Sequence, residues 1–598
     1  MPELRGLPGC LTWCVLLITC SKGENPVVIT SLGPVRGNTT TVLNSTVDIY
    51  YGIPYAAPPV GDLRFRRPVS HEPWNSTRDA LDMPNSCHQI IDELFDKFEG
   101  VDMWNPNTNM SEDCLYLNVW VPRGETPKKA ILLWIYGGTF ALGTSTLRVY
   151  DGKYMAAAND VIVVSINYRI GTLGFLSYGD DPFTSGEDAP GNVGLLDQLM
   201  AMKWVKNNAE NFGGDPNRIT IFGESAGAVS VSMHLLSPLS RDLFNNAMMQ
   251  SASALCYWGM HNRQMANDRT RALAQMFNCT TRDETQMMEC LRRADPQELS
   301  EKAWNIVDFY FDAPFAPVVD TYFLSDFPEK LIERGDVKNT SILLGVNKDE
   351  GNYFLLYGIG EKFKLNNPNP LDRNEFLDVV RTLVAPSNDK TKKAVAIEYE
   401  EAELPVDRDT YRVIADDISG DRAFKCPTID FARDMSKINK DIFLYSFEHR
   451  VSTNPWPKWA GVMHGYEIEV VFGLPLENGS RYSSEEVDLS RRVMKMWTNF
   501  AKNSNPNDPN SNDWPRFDIQ SQQFVYLNVS KSVTSGRGLR HKQCTFWREI
   551  VPLLADTPSP PSATTSCINT SHSVFPNYTV LFITGAFIIG GHLKELCA

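Results

Sequence analysis

The chain has 598 residues, 42% of them hydrophobic and 22% charged, an ordinary globular composition that leaves room for several domains or for one large sheet with insertions. Its 72 acidic against 57 basic side chains give a formal charge of −15, which argues against nucleic acid or an anionic membrane surface as the main partner. An acidic surface suits a cationic ligand, and it equally keeps a secreted protein soluble.

In chain order, the apolar stretch 11–19 behind Arg5 and ahead of small and polar residues reads as a secretory signal peptide over 1–23. It is too short to span a bilayer. Acceptors of the form Asn-x-Ser/Thr at Asn38, Asn44, Asn75, Asn109, Asn278, Asn339, Asn478, Asn528, Asn569 and Asn577 agree with passage through the secretory pathway. Strand-like runs recur at 130–136, 161–167, 218–222, 341–346 and 441–447, with helix candidates such as 195–208 between them. That alternation predicts an α/β fold with a large, mostly parallel central sheet covered by helices on both faces. Chemistry on such sheets gathers at the C-terminal ends of strands.

The most informative segment follows the run Ile219-Thr220-Ile221-Phe222, where Gly223-Glu224-Ser225-Ala226-Gly227 leads into the helix-compatible stretch 228–236. A serine at a tight strand-to-helix corner flanked by glycines is a nucleophile elbow, and the N–H of Ala226 points where an oxyanion would form. Serine needs a base and the base needs an orienting acid, in the order Ser, Asp/Glu, His for this elbow. Asp349 and Glu350 both follow the strand-like run 342–346, and His449, His464 and His541 all satisfy the order. The residues alone do not choose among the acids. His464 is favoured by its loop, Gly461-Val462-Met463-His464-Gly465. Beyond 554, a Pro- and Ser-rich linker at 555–577 precedes an apolar segment at 578–598, which resembles a removable glycolipid-anchor signal but ends on polar residues.

Gly223 to Gly227, the segment Gly345-Val346-Asn347-Lys348-Asp349-Glu350-Gly351 and the segment Gly461-Val462-Met463-His464-Gly465-Tyr466-Glu467 resemble the corresponding motifs of cholinesterases, within the type-B carboxylesterases of α/β-hydrolase fold. The likeness runs from about Val27 to Leu554, so 24–554 is expected to form one catalytic domain. It implies Ser225 as nucleophile, Glu350 as acid and His464 as base, with Gly138, Thr139 and Ala226 as oxyanion donors and no metal or cofactor. It implies a choline site at Trp104, Glu224, Tyr353, Tyr150 and Trp456, because a quaternary ammonium is met by aromatic faces rather than by a hydrogen bond. An acyl pocket at Phe311, Ala313, Phe354 and Trp258 is implied likewise, with Ala313 standing where a second phenylalanine narrows acetyl-selective members unless another phenylalanine fills the space. Asp92, Trp304 and Tyr357 match a peripheral cation site, weakened because Ile90 and Ala141 replace aromatic residues. Disulfides Cys87–Cys114, Cys279–Cys290 and Cys426–Cys544 follow from the same similarity. Cys256 is left free, and Cys567 is placed to join two chains unless anchor attachment removes or modifies it.

The departure from the family pattern is Tyr136-Gly137-Gly138-Thr139-Phe140, where Thr139 takes the place of a third glycine. The N–H survives, but a β-branched side chain restricts the backbone beside the acyl carbon. The expected activity is hydrolysis of choline esters through an acyl-enzyme, outside the cell or at the cell surface, with the synapse as one setting. A general esterase for neutral esters and an adhesion protein of the same fold are the rivals.

Overall fold

The computed structural model describes residues 25–124, 126–179, 187–307, 310–360, 362–365, 370–402, 410–439 and 441–555. The expected signal peptide, the linker beyond Ala555, the apolar tail and Cys567 lie outside them.

Eleven strands form one sheet: β1 (Asn38–Val42), β2 (Ser45–Pro54), β3 (Tyr116–Pro122), β4 (Lys129–Ile135), β5 (Ile162–Ile166), β6 (Gly214–Glu224), β7 (Asn246–Gln250), β8 (Ile342–Asn347), β9 (Ile442–Phe447), β10 (Gln523–Leu527) and β11 (Thr534–Arg537). Their spatial order is β11-β10-β9-β8-β7-β6-β4-β5-β3-β2-β1. Pairing is parallel from β10 through to β5 and antiparallel at both flanks. Strands β4, β5, β8 and β9 are buried at every residue, as continuous apolar runs must be when both faces of a sheet are covered.

All five strand-like runs read from the sequence fall on central strands of this sheet. Strand β7, Asn-Ala-Met-Met-Gln, carries no β-branched residue. Its strand state comes from its place between β6 and β8, where burial overrides local preference.

The helices that matter for the site are α1 (Val193–Asn208), α2 (Ala226–Leu236), α3 (Asn352–Gly358), α4 (Cys426–Met435) and α5 (Ser484–Asn503). Helix α2 is buried along its whole length, which fits its Ala, Val and Ser content, and it begins directly after Ser225. Helix α5 opens with a reciprocal capping box between Ser483 and Glu486. Disulfides join Cys87 to Cys114, Cys279 to Cys290 and Cys426 to Cys544, and Cys256 is a free, buried thiol.

Candidate active site

Ser225 stands between β6 and α2 with φ 56° and ψ −124°, a strained backbone for a non-glycine residue. It is locked there by its own N–H, which donates to Gln250 O at 2.9 Å, and by its carbonyl, which accepts from Val229 N at 2.9 Å. The flanking glycines are steric necessities. A Cβ on Gly223 would lie 2.5 Å from Ile135 O, and one on Gly227 would overlap the same carbonyl.

Strand β4 lies beside β6 and delivers the loop Gly137–Phe140 to the same rim. Gly138, Thr139 and Phe140 all have positive φ, at 105°, 55° and 59°. Gly138 O accepts the N–H groups of Ala141 and Leu142 at 2.9 Å each, so the loop curls over its own carbonyl and leaves Gly138 and Thr139 on the cavity wall. Gln89 fastens the next turn, exchanging two hydrogen bonds of 2.8 Å with the backbone of Gly143.

The loop after β8 distinguishes the two neighbouring carboxylates. Glu350 is fully buried; its Oε2 lies 2.6 Å from His464 Nδ1 and its Oε1 accepts Asn347 N at 2.6 Å. Asp349 instead accepts the N–H of Val462 at 2.7 Å, so it staples the histidine loop rather than orienting the ring. Asn347 adds a second staple, donating to Met463 O at 2.9 Å and to Glu467 Oε2 at 2.6 Å. The three histidines separate just as clearly. His449 Nε2 lies 2.9 Å from Glu486, the capping residue of α5, and the exposed His541 meets Gln522, whereas His464 shares a cavity with Ser225.

That cavity is lined by Ser225, His464, Gly138, Thr139, Glu224, Trp104, Tyr150, Tyr353, Phe354, Ile90 and Asp92. The Trp104 ring stands 6.5 Å from Tyr150 and 6.0 Å from Tyr466. Glu224 Oε1 lies 3.1 Å from His464 Nε2. Burial raises the Glu224 carboxyl to about 8, aided by the anions of Glu467 and Glu350 and opposed by His464. Burial alone would lower His464, but Glu224, Glu350 and Glu467 outweigh it and raise the imidazole to about 9. The contact couples the two groups, so the charge on Glu224 sets how tightly the imidazole holds its proton.

The aromatic positions differ from expectation in two respects. Trp456 does not line the cavity: it is 2% exposed and packs behind it, 4.8 Å from Phe98 and 5.7 Å from Tyr353, with its indole N–H on Tyr466 Oη. Its place is a supporting layer. Ala313 is also fully buried, and Phe424, which the sequence reading did not single out, joins the aromatic group expected to form the acyl pocket. That ring lies 4.2 Å from His464, 5.1 Å from Phe354, 5.1 Å from Phe311 and 5.7 Å from Trp258. Phe424 comes from a wide helical turn, Asp421–Lys425, just before α4. Such turns often occur at functional sites, but in the sequence only Ala423 and Phe424, set between charged residues, marked it.

At the mouth, Tyr353 Oη donates to Tyr357 Oη at 3.3 Å and Tyr357 Oη to Asp92 at 2.6 Å. Trp304 is half-buried in the short helix Ala303–Ile306, apart from the residues that line the cavity. Ala141 is buried. Among the described residues, no cluster of three or more His, Cys, Asp or Glu side chains is arranged to hold a metal ion.

A mixed sheet covered on both faces, with a serine elbow and a His–Glu pair converging at strand ends, defines an α/β hydrolytic scaffold. The chain belongs to the carboxylesterase family, whose model matches residues 24–547. It is 42% identical to an acetylcholinesterase of Bungarus fasciatus over 549 residues, covering 91% of this chain and 89% of that protein. It is 45% identical to a cholinesterase of Mus musculus over 550 residues, covering 91% and 90%, and 42% identical to an acetylcholinesterase of Danio rerio, covering 88% of each.

Proposed function

We propose that this protein is a serine esterase that cleaves choline esters through an acyl-enzyme. The observation that carries the reading is the 2.6 Å His464–Glu350 pair opening onto the same cavity as Ser225 and Trp104. Ser225 attacks the ester carbon while His464 Nε2 takes its proton, and Glu350 holds the ring by Nδ1–H and stabilises the imidazolium. The N–H groups of Gly138, Thr139 and Ala226 receive the oxyanion. Trp104 accepts the trimethylammonium on its ring face, with Tyr150, Tyr353 and Glu224 around it. Choline departs with the proton from His464, and water repeats the attack on the acyl group. Phe311, Phe354, Phe424 and Trp258 enclose the acyl chain, and Asp92 with Tyr357 offers an approaching cation its first negative charge.

Three disulfides and the many glycan acceptors support an oxidising, extracellular setting, secreted or tethered by a lipid anchor beyond Ala555. No helix among the described residues is long and apolar enough to cross a membrane.

The test is hydrolysis of acetyl- and butyrylthiocholine beside an uncharged ester of matching shape, with Ser225→Ala as control. Preference for the cationic esters, lost in Trp104→Ala, is expected. Equal rates on both ester types in both proteins would instead identify a general carboxylesterase.

A further inference from the structure

Beneath the segment that carries Phe311 lies a buried ionic cluster that touches neither Ser225 nor the cation site. Arg269, on the helix Arg263–Met276, is 3% exposed. Its guanidinium binds both carboxylate oxygens of Asp312. It also donates to the carbonyls of Ala313 and, at 3.3 Å, Pro314. His261 closes the cluster, its Nε2 3.0 Å from Arg269 Nη1 and 3.5 Å from Asp312 Oδ1. One planar fork thus grips three consecutive residues, a geometry that an ammonium cannot reproduce.

The residue just ahead of that grip is strained. Phe311 has φ 59°, a conformation that a bulky side chain keeps only when its surroundings over-determine it. On the ring side, Phe354 at 4.1 Å and Trp258 at 5.2 Å supply part of that constraint. On the backbone side, Arg269 holds the three residues that follow.

We propose that Arg269, through its clamp on Asp312 and the next two carbonyls, is a positioning residue that sets acyl-chain selectivity by holding Phe311 against the acyl group. This rests on the reading of Phe311 as part of the acyl wall. Releasing the clamp lets the backbone leave its strained state and the ring retreat, so longer acyl groups gain room while the cation site is untouched.

The experiment compares kcat/KM for acetyl-, propionyl- and butyrylthiocholine in the wild type, Arg269→Met, Arg269→Lys, Asp312→Asn and Phe311→Ala. Inhibition by tetramethylammonium, which has no acyl group, reports on the cation site. Arg269→Met and Arg269→Lys are expected to raise the butyryl-to-acetyl ratio about threefold or more, toward the Phe311→Ala value, with tetramethylammonium inhibition unchanged. Arg269→Met added to Phe311→Ala is expected to move the ratio no further, because both act on one ring. A ratio that stays at the wild-type value in active Arg269 variants while Phe311→Ala shifts it overturns the clamp and leaves the acyl wall standing. A flat response in Phe311→Ala removes the acyl-wall reading and the clamp with it. Should Arg269→Met fail to fold, Arg269→Lys and Asp312→Asn carry the same comparison, and unchanged ratios in both overturn the proposal.

Discussion

Thr139 holds a β-branched side chain at φ 55° on the cavity wall, where a left-handed backbone costs on the order of 1–3 kcal/mol. Thr139→Gly is therefore expected to raise turnover and to change the rate of organophosphate inhibition, both readable in steady-state assays. The Glu224–His464 contact makes a prediction about pH. Imidazole is a base only when neutral, so activity rises with pH through its titration, and the Glu224 anion is the largest contributor raising that titration. Glu224→Gln removes the anion, the His464 proton is held less tightly, and the acid limb of kcat/KM moves to lower pH. A shift to higher pH, or none, would show that the Glu224 anion does not raise the titration of His464. Phe424 is the third residue with a measurable role. Because its ring packs against Phe311, Phe354, Trp258 and His464, Phe424→Ala should raise the butyryl-to-acetyl ratio by roughly tenfold, within the 1–3 kcal/mol that one apolar group contributes to discrimination. Ala313→Phe should instead destabilise the protein by overpacking a site with no exposed surface.

Two loops, those following β8 and β9, meet at His464, and their mutual bonding fixes its place relative to Glu350. Asp349 bonds Val462 N and Asn347 bonds Met463 O, so the carboxylate next to Glu350 holds the two loops together. Asp349→Ala leaves the Val462 N–H buried without a partner, at a cost of about 1–3 kcal/mol. A fall in kcat with little change in KM is expected, together with a lower melting temperature. Loss of stability with unchanged kcat would show that the staple does not position the histidine.

The turn that presents Phe424 is tied to the rest of the molecule by Cys426–Cys544, which spans 118 residues and sits directly after it. By chain entropy, closing so long a loop stabilises by roughly 4–5 kcal/mol, against about 3 for a short one. Replacing both cysteines with serine should lower the unfolding midpoint more than the same change at Cys279–Cys290, whose separation is 11. It should also broaden acyl selectivity, because the turn before α4 loses its anchor.

Local patterning was enough to foresee five of the central strands, the serine corner and a carboxylate loop after a strand, since each depends on a few consecutive residues obeying steric rules. Similarity of motifs then singled out Glu350 and His464 from their neighbours. The tertiary structure alone decided the work of Asp349, the retreat of Trp456 behind the cavity, the strand state of β7 and the place of Phe424. These depend on which distant segments fill the same volume, and spacing along a chain carries no information about volume.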